Sequence, residues 1–179
     1  MSRLAVVAYP VMSEGDRRWI EAIRARHDPQ ALRLGAHVTL VFPVEMAEAA
    51  LRALVESALR RSGPISMVLR RTAVAADAMA GGHSISLLVE EGREELIALH
   101  DALYGGALAA HRRRDVPFVP HVTVGAHRDA GECERLAVHL DAERRCVHAR
   151  IATVDVVDVG AAVVRTVAAL PLGPIGPIS

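Results

Sequence analysis

A chain of 179 residues is long enough to bury a sizeable core and short enough to form one domain. Hydrophobic residues make up 51% and charged residues 23%, which excludes a disordered chain, and no run of about 18 uncharged apolar residues is present to span a membrane. The 21 basic residues balance 21 acidic ones, so no net field draws the protein to long nucleic acid; all 21 are arginine, which excludes Schiff-base and nucleotidyl-lysine chemistry.

Leu4 to Tyr9 reads as a buried strand ended by Pro10, too short and without the cleavage pattern of a secretion signal, so a cytoplasmic location is expected. Ser13 with Asp16 three residues on predicts the start of a helix over 14–26, with Trp19, Ile20 and Ile23 on its buried stripe. Asp28-Pro29 ends it, and a loop leads to a strand over 36–44. A helix over 45–61, stopped by Ser62-Gly63-Pro64, precedes an alternating strand over 65–75, a turn over 77–82 and a returning strand over 83–90.

The second half predicts a helix over 93–110, the basic run Arg112-Arg113-Arg114, a strand over 117–126 and a helix over 130–144. One long strand over 147–159, a turn at Gly160 and a strand over 161–170 follow. The Pro- and Gly-rich stretch 171–179 is expected to lie loosely on the surface. Cys133 and Cys146 have no partner pair at metal-site spacing and read as reduced thiols.

Two of these strands carry one pattern. His37-Val38-Thr39-Leu40 and His121-Val122-Thr123-Val124 each place a His and a Thr two residues apart, hence on one face, with aliphatic residues on the other. With nine His and five Thr, about 0.25 His-x-Thr triplets are expected by chance. The 84-residue offset from His37 to His121 also carries the helix after the first motif onto the helix after the second, and Ile65 onto Ala149. The chain therefore reads as a single domain, 1–179, built of two pseudo-repeat lobes over about 36–90 and 119–170, with the N-terminal strand and helix shared or swapped. Packed about a pseudo-twofold axis, the lobes would bring both His-Thr pairs to one cleft.

Two imidazoles across a cleft suit a reaction that needs a base on one side and an acid on the other. Two Thr hydroxyls would orient the oxygens of a phosphate between them. Neither a metal nor a cofactor is called for. Paired His could hold zinc, but neither motif supplies a third ligand at short spacing.

These strands resemble the paired signatures of the 2H phosphoesterases, and 117–123 is similar to the second motif of bacterial 2′-5′ RNA ligase-like proteins. The resemblance implies an α+β, two-lobed, pseudo-symmetric fold, with antiparallel sheets lining a central cleft and helices outside. It implies a metal-independent phosphodiesterase that opens the 2′,3′-cyclic phosphate of a nucleotide or RNA end, with 2′-5′ RNA ligase-like activity in some relatives. By that resemblance His37 and His121 are the acid-base pair, with His121 as base and His37 as acid or the reverse, and Thr39 and Thr123 hold phosphate. Phe42-Pro43-Val44 stands where many relatives have Phe-Leu-Gly, and neutral charge with few aromatics favours a small cyclic nucleotide or an RNA terminus over structured RNA.

Around this pair, Tyr9, Phe42 and Phe118 are candidates to stack on a base, Arg114 to meet a substrate phosphate, and His127 to neighbour the cleft. His27, His83, His100, His111, His139 and His148 carry no motif and are expected at the surface or behind the site. A non-catalytic nucleotide or RNA-end binding module with the same cleft is the alternative, and a protein-interaction domain with structural His-Thr pairs is a third. Intact His at both positions favours catalysis, because binding alone could use Arg or Asn. A monomer is expected, with no membrane association and no inferable protein partner.

Overall fold

The computed structural model describes residues 2–77, 81–160 and 163–173. Its elements in chain order are β1 (Ser2–Ala8), β2 (Val11–Met12), α1 (Glu14–His27), β3 (Val38–Met46), α2 (Glu48–Leu59), β4 (Ile65–Ala76) and β5 (His83–Glu91). Then come α3 (Arg93–Leu103), a 3-10 turn (Gly106–His111), β6 (His121–His127), α4 (Ala130–Ala142), β7 (Val147–Ile151), β8 (Thr153–Asp158) and β9 (Arg165–Pro171). All strand pairings are antiparallel. They build a four-stranded sheet in the order β3-β1-β8-β9 and a five-stranded sheet in the order β2-β7-β4-β5-β6. The α+β architecture of antiparallel sheets with helices outside is the one that forms.

Burial follows the period of each element. Leu4, Val6 and Ala8 of β1 point into the main core with Leu40, Leu51, Val122, Val154 and Val156, while Ala5 and Val7, on the opposite face, join Leu34 and Val157 in a smaller cluster. Ser13 caps α1, its Oγ accepting from Asp16 N at 3.1 Å. Ile20 is buried as the pattern requires, but the second fully buried side chain of α1 is Arg24, not Trp19 or Ile23. Trp19 lies half-buried between α1 and the segment after α4, donating from Nε1 to Glu143 at 2.9 Å under the guanidinium of Arg145.

Several expected elements differ, among them the first motif strand, placed at 36–44, which runs from Val38 to Met46. The helix placed at 45–61 begins only at Glu48, because β3 runs on through Met46, where Glu45 and Met46 pair with Arg3 and Ser2. The helix placed at 93–110 ends at Leu103: Gly106 takes a left-handed φ of 57° and a 3-10 turn follows. The single strand placed at 147–159 is two. β7 pairs with β4 in the five-stranded sheet, β8 pairs with β1 and β9 in the other, and the chain changes sheet at Ala152, whose carbonyl accepts from Leu172 N at 2.9 Å. With no Gly or Pro between Val147 and Val159, no turn signal marks that switch in the sequence.

The second motif strand starts at His121 and not at 117, and the short β2, pairing with β7, was not expected. Beyond Pro171, Leu172 is buried, so the start of the tail is anchored. Residues 174–179, 78–80 of the expected turn and 161–162 of the expected last strand lie outside the described residues. Each sheet mixes strands from both halves of the chain, and the two motif strands, β3 and β6, are edge strands that meet between the sheets.

Candidate active site

Both motif strands are built alike. In β3 the register steps from Thr39 opposite Val7 to Val41 opposite Val6, so Leu40 is an extra residue. In β6 it steps from Thr123 opposite Ser86 to Gly125 opposite Ile85, so Val124 is the extra one. The two bulges sit at the same offset of 84 residues that relates the motifs (40 to 124, 37 to 121). A bulge resets the alternation of faces. After Thr39 both Leu40 and Val41 are buried, and after Thr123 both Val124 and Gly125 are, so in each strand the bulge interrupts the polar face just past the Thr.

The rings of the two His are fixed in the same way. His37 Nδ1 donates to the carbonyl of Gly35 at 2.8 Å and His121 Nδ1 to that of Val119 at 2.6 Å. A carbonyl can only accept, so each neutral imidazole carries its proton on Nδ1 and leaves Nε2 as an open base. The rings are close enough for a charge on His121 to bear on His37. Among the described residues no side-chain hydrogen bond engages the hydroxyl of Thr39 or of Thr123.

Burial is the main cause that holds the His37 pKa below the ordinary imidazole value. The Gly35 carbonyl works against it, while Arg24 and, more weakly, His121 lower it further.

What positions His37 is a network on α1. Arg24, 1% exposed, reaches Asp28 at 2.9 Å, Glu21 at 2.9 Å and the carbonyl of Leu34 at 2.7 Å. Glu21 in turn accepts from Ala36 N at 2.7 Å. A buried cation flanked by two carboxylates thus clamps the loop that delivers His37. The sequence signal for it was present as Glu21, Arg24 and Asp28 at i, i+3 and i+7, so that Arg24 stands three residues after one carboxylate and four before the other, on the stripe of Ile20. On the other side, Pro120 O accepts from Val89 N at 3.1 Å and ties the approach to His121 onto β5.

The other candidates separate. The ring of Tyr9 stands edge-on to His37 at 6.2 Å, which brings it to the site. Phe42 is half-buried beyond the bulge, its amide donating to Tyr104 Oη at 3.1 Å. Phe118 stacks on His100 at 3.9 Å, and His100, only 5% exposed and also against Tyr104, is a core residue and not a surface one. Phe118 and Arg114 line a cleft of about 360 Å³ whose walls include neither His-Thr pair. His127 lines a different cleft of about 710 Å³ with Arg26, His27 and Arg135. It sits six residues along β6 from His121, about 20 Å at strand rise, and so does not join the His pair.

Two antiparallel sheets that meet at bulged edge strands, each with a His-x-Thr pair at its start, are similar in arrangement to the 2H phosphoesterase class. Residues 12–161 match the 2′-5′ RNA ligase superfamily, and the chain belongs to it. That membership supports phosphoesterase-type chemistry. Among solved structures the fold is similar to Escherichia coli LigT in its apo form, with a TM-score of 0.62 and 17% identity over 97% of this chain and 98% of that one. A Thermus thermophilus protein, TT0787, is similar with a TM-score of 0.63 and 19% identity over 95% and 97% of the two chains. E. coli LigT complexed with 3′-AMP gives 0.58 and 16% over 97% and 99%. No curated protein matches the sequence. Among the described residues no helix is long and apolar enough to cross a membrane.

Proposed function

We propose that the cleft hydrolyses 2′,3′-cyclic phosphates of a nucleotide or RNA end by acid-base catalysis between His37 and His121. The observation that carries this reading is the matched pair of Nδ1–carbonyl bonds, which leaves two Nε2 atoms, one from each sheet, for proton transfer. Attack requires one ring to start neutral and the other protonated. Burial favours the neutral form of His37, so His37 is assigned as base and His121 as acid, the second of the two orders that the resemblance allows.

Water then loses its proton to Nε2 of His37 and forms the new P–O bond. The bond from phosphorus to one ribose oxygen breaks, and that oxygen takes the proton from Nε2 of His121, leaving a phosphomonoester. Thr39 and Thr123 donate to the non-bridging oxygens as negative charge grows there. The LigT structure that holds 3′-AMP supports the reading, because a 3′-phosphate is what remains when the bond to O2′ is the one cut. Ligation to a 2′-5′ linkage needs the other bond cut: a ribose 5′-hydroxyl takes the place of water, the bond from phosphorus to O3′ breaks, and the phosphate stays on O2′.

The test is hydrolysis of 2′,3′-cyclic nucleotides and cyclic-phosphate-ended oligonucleotides in chelator, with native protein, His37→Ala and His121→Ala. Turnover lost in both variants is the expected result. Tight binding without turnover in the native protein would instead give the cleft to a binding module.

A further inference from the structure

Directly opposed residues of an antiparallel pair share a face. Across the four-stranded sheet, Thr39 of β3 lies opposite Val7 of β1, Val7 opposite Asp155 of β8, and Asp155 opposite Ala169 of β9. Asp155 therefore lies on the face of Thr39, two strands away, about 10 Å at ordinary strand spacing. Between them Leu34 packs with Val7, and Tyr9 packs on the same small cluster, so the interval is apolar. Tyr9 meets His37 edge-on at one end and is close enough to Asp155 for the carboxylate to act on its hydroxyl at the other.

The matching row of the five-stranded sheet is Thr123, Ser86 and Ala73. The two Thr thus correspond, but Asp155 has only Ala73 as its counterpart. The cleft is symmetric for a phosphate and one-sided for whatever the phosphate carries.

Asp155 is half-buried, and its side-chain hydrogen bond is a long one, from Thr166 Oγ1 at 3.5 Å. No ion pair engages it among the described residues, so most of its acceptor sites are open. Such a carboxylate repels phosphate and attracts N–H donors. Two adjacent donors suit its two oxygens, and the Watson–Crick edge of guanine, N1–H beside N2–H₂, offers that pair; adenine, cytosine and uracil each place a ring acceptor or a carbonyl beside a single donor group.

We propose that Asp155 is the specificity-determining residue of the cleft, accepting hydrogen bonds from the donor edge of guanine while the sugar lies along Tyr9 and Leu34. This rests on the reading of the cleft as a site for nucleoside phosphates.

The test measures binding of the 3′-monophosphates of guanosine, adenosine, cytidine and uridine by calorimetry, to native protein and to Asp155→Asn, with hydrolysis of the four 2′,3′-cyclic monophosphates as a separate readout. Asparagine keeps the shape and replaces one acceptor by a donor. The native protein is expected to prefer guanosine by about tenfold or more, the discrimination of one bidentate pair, and Asp155→Asn to lose that preference while binding inorganic phosphate no more weakly than native protein does. Equal binding of the four, a guanosine preference that survives in Asp155→Asn, or no binding of any of them overturns the assignment. A guanosine preference that depends on Asp155 without hydrolysis of any cyclic nucleotide would uphold it and sink the catalytic reading alone.

Discussion

Gly125 of β6 lies directly under His27 at the end of α1, and a Cβ built on it would come within 3.0 Å of the Cβ of His27 and of Cδ1 of Ile85. Helix α1 therefore rests on the strand that carries His121 while its Arg24 clamps the loop that carries His37. One helix sets the spacing of the two rings.

Gly125→Val is predicted to lower stability by about 1–3 kcal/mol, the usual cost of overpacking. Displacing α1 also moves the His37 loop, so kcat should fall further than a control such as Val138→Ala, an exposed position on α4, would lower it. Urea melts and steady-state kinetics on the two proteins check this.

Arg24→Met breaks a buried ion network and leaves the Asp28 carboxylate, with 5% of its side chain exposed, without its cation. A loss of about 3–5 kcal/mol is expected. Asp28→Asn added to Arg24→Met should restore part of it, because the stranded charge is then gone, and thermal melts of the single and double variants measure the difference.

The His37 pKa is lowered on folding, so the folded state favours the neutral ring. Above the ordinary imidazole pKa of about 6.5 both states are neutral and the group contributes nothing; as pH falls below it the unfolded chain takes up the proton first and stability is lost. His37→Gln should therefore flatten stability against pH between about 6.5 and the lower folded value. NMR titration of the ring must place its midpoint below that of a free histidine.

Burial raises the Asp155 pKa, with Thr166 opposing. Here the sign is opposite: the stability associated with the protonated form is present at low pH and lost as pH rises through the folded value. Asp155→Asn is expected to melt higher than native protein at neutral pH, with the gap closing towards acid. An equal or lower melting temperature at pH 7 would contradict this.

Residues with a local signature could be read before the structure. The Ser13 cap and the Asp28-Pro29 stop depend on spacing within a few positions, and the structure has both in place. Tertiary relations could not be read that way. The spacing of Glu21, Arg24 and Asp28 allows ion pairs along α1 but does not bury them; only the folded loop supplies the Leu34 carbonyl that makes the burial of Arg24 tolerable. Asp155 sat within a run read as one strand, and its place on the face of Thr39 exists only because β8 leaves the sheet of β7. His100 had no motif since its partner, Phe118, comes from a distant loop.

The change of sheet at Ala152 bears on the order in which the protein is made. Strand β1 is synthesised first, yet one of its two edges waits for β8, and the five-stranded sheet likewise waits for β7. Such long-range pairings form slowly and leave open edges exposed until they do. A chain on the ribosome that has not yet released β7 and β8 has both histidines made and neither sheet complete, so the substrate cleft is among the last features the nascent protein acquires.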